Sequence, residues 1–227
     1  MRKQKGFTFI EIIVVLVILG ILTALTLTSL NPNRRMVKTD DAAASIYNIM
    51  RQARIQSITR RQFYAAVINS APTDQVVTLP NTDTPVTMTF LAQSISLVDM
   101  GQLNTSDEKI ILTKQLPPDV IVNASFFSAP PNIDFPAPER SFSKFDFSTG
   151  AYVTYFDPAG RAVNASTGTG TQNYSIFYFS SFDIDDTKFP TLLRAVTLYG
   201  ATGGLKFWRF LPTGTPNKWS PKIDINS

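Results

Sequence analysis

The 227-residue chain contains neither cysteine nor histidine. The absence of cysteine excludes disulfide bonds and thiolate metal sites. The absence of histidine excludes Ser-His and Cys-His nucleophile pairs, histidine-ligated metals and the side chain that most often moves protons near neutral pH. An enzyme would have only carboxylates, lysine, tyrosine and serine to work with, so we expect that the chain is not an enzyme and holds no cofactor or metal.

The chain also carries little charge, 17% of its residues, and its formal net charge of +4 is unevenly distributed. Basic residues outnumber acidic ones in residues 31–62 and again in 194–227, whereas acidic residues predominate in 63–193. Such blocks suggest oriented contacts with charged neighbours. A solvated surface explains them equally well, so charge alone assigns no partner.

One long apolar run is present, residues 7–30, and Glu11 is its single charge. A helix of this length would reach about 36 Å at roughly 1.5 Å per residue, which is enough for a bilayer core of about 30 Å. Basic residues precede the run, so the positive-inside rule places the N-terminus in the cytoplasm. A secretory signal peptide would have a shorter apolar core and a small-residue cleavage site. A plain signal anchor would leave the intramembrane carboxylate unexplained.

The stretch "KGFTFIE", residues 5–11, resembles the N-terminal signal of type IV pilins and type II secretion pseudopilins. The resemblance implies that a prepilin peptidase cleaves after Gly6 and that the new first residue, Phe7, is N-methylated. It also implies that Glu11 pairs with the α-amino group of a neighbouring subunit inside a filament. The physical chemistry agrees, because a buried carboxylate persists only when it is paired.

Apolar residues recur at helical spacing after Thr39, so we predict one long helix from Phe7 to about Arg61. Asp40 and Asp41 suit a helix start, because carboxylates stabilise the first turn. The first half of the helix would lie in the inner membrane before assembly, and the second half would lie on a periplasmic domain. The predicted segments are a leader at 1–6, a transmembrane and filament-core helix at 7–30, the soluble half of the helix at 31–62 and a β-rich globular domain at 63–227.

Beyond Gln62 the hydrophobic period changes from 3.6 to two, which indicates β-strands separated by clusters of Pro, Gly, Asn and Asp. The predicted fold class is therefore α+β: a long helix packed on antiparallel β-structure in one or two sheets, as in a pilin-like fold. Residues 128–140 and 164–173 are typical of exposed loops. The predicted strands are Phe63–Asn69, Gln75–Leu79, Val86–Leu91, Ile110–Lys114, Val120–Phe126, Lys144–Phe147, Tyr152–Phe156, Tyr174–Phe182, Ala195–Tyr199 and Leu205–Leu211.

Three stretches of the soluble part resemble GspH/FimT-type minor pseudopilins. In the first, an Ala-Arg pair ending at Arg54 precedes a basic turn before the first strand. In the second, an F-x-P-x-G turn contains Gly160, which can adopt a positive φ. The third resembles the closing hairpin of that family. These stretches are residues 46–68, 153–163 and 194–208.

Two clusters of residues are candidate binding sites. The carboxylates of Asp183, Asp185 and Asp186 would suit Ca²⁺, but Lys188 occupies the position where an EF-hand loop needs glycine. A solvated acidic turn is the simpler interpretation, so we predict no metal site.

Near the C-terminus, four basic residues lie among phenylalanine and tryptophan, a pattern typical of single-stranded nucleic-acid binding. The resemblance allows this role, because some FimT-type minor pilins are DNA-uptake receptors. Buried aromatics beside exposed cations in a β-strand would give the same sequence pattern. The nearly neutral charge of the mature chain also differs from that of dedicated nucleic-acid binders. The candidate contacts are Lys206, Arg209, Lys218 and Lys222.

Three classes of function follow. The first is a structural subunit, a minor pseudopilin of a type II secretion system, whose partners are other pseudopilins, the prepilin peptidase, the inner membrane and secreted cargo. The second is a minor pilin of a type IV pilus that primes assembly or captures DNA. The third, a membrane-tethered enzyme, lacks any supporting motif.

Overall fold

The computed structural model describes residues 9–79, 85–101, 108–118, 120–123, 144–146, 151–163, 174–181, 192–210 and 219–221. Backbone contacts divide the chain into two compact units, Met1–Val37 and Lys38–Ser227. In the described residues, the first unit contains only helix, and the second contains the rest of that helix and the β-strands. The segment boundaries predicted from the sequence after residues 6, 30 and 62 stay predictions.

A single helix, α1, runs from Phe9 to Arg60. This agrees with the predicted long helix, whose first residue, Phe7, lies outside the described residues. The prediction that Asp40 and Asp41 mark a helix start is wrong, because both lie in the interior of α1. Within the described part of the chain, no helical stretch combines the length and the apolarity that crossing a membrane requires.

The C-terminus of α1 is closed by a left-handed residue. Arg61 has φ of 53°, and the N–H of Gln62 donates to the carbonyl of Ser57 at 3.3 Å. This is the hydrogen bond of a Schellman motif, which glycine usually completes because its φ is unrestricted. Arginine therefore sits in a conformation that costs it free energy, and the chain turns sharply into the first strand.

Thirteen strands in the described residues form antiparallel sheets. The strands are β1 (Tyr64–Asn69), β2 (Gln75–Leu79), β3 (Val86–Phe90), β4 (Ser94–Asp99), β5 (Lys109–Gln115), β6 (Val120–Asn123), β7 (Lys144–Asp146), β8 (Ala151–Phe156), β9 (Ala162–Val163), β10 (Tyr174–Ser181), β11 (Arg194–Tyr199), β12 (Gly204–Phe210) and β13 (Trp219–Pro221). A six-stranded sheet has the order β5-β4-β1-β8-β7, with β9 beside β8. A five-stranded sheet has the order β13-β12-β11-β10-β6, and β2 pairs with β3 alone. The described strands thus form three sheets, rather than the one or two that were predicted.

The main core lies between α1 and the two larger sheets. The helix contributes an apolar stripe that includes Ile46, Met50 and Ala53, all fully buried. Tyr64 and Leu97 face it from the six-stranded sheet, and β11 and β12 add further apolar side chains from the five-stranded sheet. The stripe has the helical spacing that the sequence predicted, and burying it supplies the main driving force for docking the helix.

A second core covers the opposite face of the six-stranded sheet. Val77, Leu79 and Phe90 of the β2–β3 hairpin pack on Ala65 and Val67 of β1. As a result β1, β4 and β8 are buried on both faces. Antiparallel sheets commonly leave one face to solvent, and the alternation of polar and apolar residues then shows which side chains face the core. Here the hairpin removes that alternation.

The hairpin is attached to the sheet through one buried amide. The side-chain nitrogen of Asn69 lies 2.9–3.1 Å from the carbonyl oxygens of Thr73, Phe90 and Leu91. Its oxygen accepts from the N–H of Ala71 at 2.9 Å. Because a buried amide is costly without partners, these contacts fix where β3 ends relative to β1.

Sequence reasoning missed strand β4, which lies next to β1 within the six-stranded sheet. Aspartate is depleted in strands and serine is not among the residues that strands favour, so the composition of β4 did not indicate a strand. Both buried serine hydroxyls of β4 have hydrogen-bond partners: Ser96 pairs with Thr113 of β5 at 2.9 Å, and Ser94 donates to the carbonyl of Leu91 at 2.7 Å. The alternation of serine with Ile95 and Leu97 was the available signal. The short strands β9 and β13 were also missed, and the predicted strands otherwise agree within one or two residues wherever the chain is described.

Candidate functional site

The first unit presents an apolar helix with a carboxylate at its start. Glu11 lies in the first turn of α1 and is exposed. Every large apolar side chain from Phe9 to Leu22 is also exposed, by 43% or more. Because consecutive helical residues point in all directions, the apolar surface surrounds the helix. Such a surface suits lipid or neighbouring helices, and a carboxylate near a helix N-terminus is favoured by the helix dipole. Gly6 and Phe7, the predicted cleavage and methylation positions, lie outside the described residues.

In the second unit, the end of α1 meets two β-turns. Arg54 Nε donates to the carbonyl oxygen of Gly160 at 3.4 Å. A Cβ built on Gly160 would lie 2.5 Å from Ile58 Cδ1, and one built on Gly203 would lie 1.9 Å from the oxygen of Gly160. Both glycines have positive φ, 76° and 63°. Only glycine fits these two positions, and the three stretches that resemble GspH/FimT-type pseudopilins meet here.

The turn before β9 is held by one carboxylate. Asp157 is 3% exposed, and its Oδ1 accepts from the N–H of Ala159 at 3.0 Å and of Arg161 at 2.8 Å. Its Oδ2 accepts from Arg161 Nε at 2.7 Å. The N–H of Ala162 then donates to the carbonyl of Gly200 at 2.9 Å, joining this turn to the closing hairpin. The arrangement makes both turns rigid.

A buried ion-pair cluster joins α1 to the closing hairpin. Asp40 Oδ1 accepts from Arg194 Nε at 2.5 Å, and its Oδ2 accepts from Arg209 at 3.0 Å. The Arg194 side chain is fully buried, while that of Arg209 is 36% exposed. Burial lowers the pKa of Arg194, and its hydrogen bond with Asp40 opposes that shift. Sequence reasoning assigned Asp40 to a helix start, because nothing in the local sequence indicates a partner more than 150 residues away.

The predicted nucleic-acid contacts divide into two groups. Lys206 is exposed and its ammonium lies 4.1 Å from the centroid of the Trp208 ring, whereas Arg209 is engaged by Asp40. Lys218 and Lys222 lie outside the described residues. Phe207, Trp208 and Phe210 are at most 8% exposed, and Trp208 Nε1 donates to Thr197 at 2.9 Å. These three aromatic rings are therefore not open for stacking on bases, and DNA contact stays a prediction without support from the described geometry.

Three tyrosines of the six-stranded sheet remain protonated near neutral pH. Burial raises the pKa of Tyr152 to about 12 and raises that of Tyr155 further. Burial, and then the nearby charge of Asp99, raise the pKa of Tyr64, whose hydroxyl donates to that carboxylate at 3.1 Å. Raised values are the opposite of what a tyrosinate nucleophile needs. The hydroxyls of Tyr64 and Tyr152 fit a structural role, since the first donates to Asp99 and the second to the carbonyl of Val122 at 3.4 Å.

No cluster of three or more potential metal ligands occurs within the described ranges. Asp183, Asp185 and Asp186, the acidic cluster considered for Ca²⁺, lie outside them. The expectation of no metal and no cofactor therefore stays an expectation.

A family model described as the prokaryotic N-terminal methylation motif matches residues 1–27. This motif indicates a type IV pilin-like protein, and it implies processing by a prepilin peptidase and assembly with other pilins. It is also consistent with membrane anchoring before assembly. Neither a curated protein nor a solved structure matches the chain. The finer resemblance to GspH/FimT-type pseudopilins stays a prediction.

Proposed function

We propose that the chain is a minor pseudopilin of a type II secretion system, built into a periplasmic pseudopilus that drives protein export. The observation that supports this most is the methylation motif at residues 1–27, which leads into a helix with apolar residues on all sides and one early carboxylate. The α+β architecture of the second unit fits a filament subunit that displays a globular domain.

The proposed mechanism is assembly rather than catalysis. Residues 7–30 anchor the precursor in the inner membrane, with the basic leader in the cytoplasm and the β-rich domain in the periplasm. The prepilin peptidase cleaves after Gly6 and frees Phe7, which is then N-methylated. As the apolar helices bundle, water is excluded and the Glu11 carboxylate requires a cationic partner. The new α-amino group of a neighbouring subunit supplies one.

The alternative is a minor pilin of a type IV pilus, in which the same N-terminal machinery would serve pilus priming or DNA uptake. The motif is common to both systems, so the neighbours in the filament discriminate between them. In-cell crosslinking of the full-length protein, followed by mass spectrometry, identifies those neighbours and reports whether the mature chain starts at N-methyl-Phe7. Pseudopilins and a secretin-linked assembly support the secretion role. A major pilin and a pilus adhesin would replace it with the pilus role.

Two substitutions test the mechanism. Gly6→Ala should block maturation, because it changes the residue after which the peptidase cleaves. Glu11→Val should leave processing intact but reduce incorporation into the filament, because it removes the carboxylate that pairs with the neighbour's amino group. Thr23→Val, at another exposed polar position of the same helix segment, is the matched control. Normal processing of Gly6→Ala, or normal incorporation of Glu11→Val, would contradict the proposal.

A further inference from the structure

The last turns of α1 carry apolar side chains on their solvent side. The helix buries Ile46, Met50 and Ala53 against the sheets, so its opposite face should be polar. Instead Ile55 is 49% exposed and Ile58 is 44% exposed. Adjacent exposed isoleucines on the outer face of an otherwise amphipathic helix are unusual, and contiguous apolar surface of this kind often marks an interaction site.

This face continues onto the closing hairpin. Arg54 lies against both Gly160 and Gly203, and Ile58 lies against Gly160, so helix and turns form one contiguous surface. Arginine is enriched in protein interfaces, and Arg51 and Arg54 occur here with the isoleucines. We call Arg51, Arg54, Ile55 and Ile58 the helix–turn surface.

The parts of this surface are held rigidly before any partner binds. Gly160 and Gly203 leave no space for a side chain where the turns meet the helix. The Asp157 carboxylate fixes the neighbouring turn through backbone and side-chain hydrogen bonds. Because little needs to be ordered on binding, a preorganised surface retains more of its contact energy as affinity.

Charge indicates what the partner brings. Arg51 is exposed, Arg54 is half-buried, and neither forms a salt bridge with the residues that the structure describes. Arg161, at the adjacent turn, is already neutralised by Asp157 at 2.6 Å. Among the described residues, no carboxylate compensates the positive charge of this partly apolar surface, and its complement is an apolar patch flanked by carboxylates.

We propose that the helix–turn surface docks an acidic, apolar-edged surface of a different pilin-type subunit. This inference rests on the proposed function, because a minor subunit is present in few copies and has other subunits as neighbours. It adds a second contact to the one made by the N-terminal helix. The first contact anchors the subunit in the filament, and the second selects which subunit lies beside it.

The test compares filament incorporation of the full-length chain in its native cells. Ile55→Glu and Arg51→Glu each place negative charge at the docking surface, and glutamate is a good helix former, so the helix is retained. Incorporation should fall at least fivefold, while the membrane level and N-methyl-Phe7 stay unchanged. Val76→Glu, at a residue of β2 that is 56% exposed, and Lys114→Glu, at an exposed position of β5, are the matched controls and should incorporate normally.

A photo-crosslinker at position 55 identifies the occupant. Capture of a different pilin-type subunit at an acidic position, together with restored incorporation of Arg51→Glu when that acid is changed to lysine, supports the proposal. Capture of a second copy of this chain or of lipid overturns it, as does incorporation of both glutamate variants at the level of Val76→Glu. If the wild-type chain lacks N-methyl-Phe7 or enters no filament, the proposed function fails as well, and the two failures are thereby distinguished.

Discussion

Replacing Asp40 by alanine should strongly destabilise the second unit. The carboxylate is the acceptor for Arg194, whose side chain is fully buried, and for Arg209 at its more exposed edge. Breaking a buried ion pair by removing one partner costs about 3–5 kcal/mol, because the remaining charge stays in a poorly solvated position. Asp40 is itself 23% exposed, so water reaches the site in part and the expected cost is about 3 kcal/mol.

The cost is measurable as a shift of the melting temperature. For a unit of this size, 1 kcal/mol corresponds to roughly 2–4 °C, so Asp40→Ala should lower Tm by about 6–12 °C. The assay is near-UV circular dichroism of the full-length chain in mild detergent, where the buried Trp208 reports on tertiary packing. Arg209→Ala should cost about 1 kcal/mol or less, because its partner contact is close to solvent.

Two controls isolate the buried charge as the cause. Asp41→Ala changes the neighbouring carboxylate, which is exposed, and should shift Tm by less than about 2 °C. The double variant Asp40→Leu with Arg194→Met removes both charges at once and should recover most of the loss, because apolar replacements of buried ion pairs are often neutral or stabilising. The reasoning is refuted if Asp40→Ala melts together with Asp41→Ala, or if the double variant is less stable than Asp40→Ala.

Three further predictions concern single positions. Arg61→Gly should stabilise the chain by about 1 kcal/mol, because glycine relieves the left-handed conformation at the end of α1; a lower Tm would contradict this. Gly203→Ala should lower the free energy of unfolding by more than about 2 kcal/mol, measured by thermal unfolding, because the new Cβ would meet the oxygen of Gly160. Gly204→Ala is the control and should cost much less, because its Cβ would meet only the Thr202 hydroxyl at 3.1 Å. The Tyr152 hydroxyl has a folded pKa raised to about 12 from an ordinary 10, so it stabilises the fold below pH 10 and that contribution is lost as pH rises from 10 to 12. Denaturant titrations between about pH 10 and 12 should show the free energy of unfolding declining by up to about 1.4 kcal/mol per pH unit because of this group. Tyr152→Phe should lack this part of the decline; if the variant's free energy of unfolding falls with pH as steeply as that of the wild type, the assignment is refuted.

Local patterns predicted much of the fold. The apolar stripe through Ile46 and Ala53 has the helical period, and the runs at β1, β8 and β11 are rich in β-branched and aromatic residues. Strand β4 was missed because its two serines do not indicate a strand. In the structure Ser96 is satisfied by Thr113 of the neighbouring strand and Ser94 by the carbonyl of Leu91. Sheet number and strand order depend on contacts between distant segments, which a single sequence does not display.

The candidate site divides in the same way. The N-terminal signal around Gly6 and Glu11 is a local motif, and the family comparison over residues 1–27 agrees with it. The tryptophan and arginine near the C-terminus resembled a nucleic-acid surface, whereas tertiary packing buries Trp208 and pairs Arg209 with Asp40. Residue types alone leave such choices open, because exposure decides whether an aromatic ring stacks on a ligand or fills a core.

By itself, the sequence determined what is encoded within a few consecutive residues: the processing signal, the apolar run with its single carboxylate, the helix and most of the strands. Only the tertiary structure decided which distant residues meet. In the tertiary structure Asp40 pairs with Arg194, and both faces of β1 are covered. The end of α1 also packs against the turns that contain Gly160 and Gly203. The physical reason is that hydrogen-bond partners and burial are properties of positions in space, whereas periodicity and motif spacing are properties of positions along the chain.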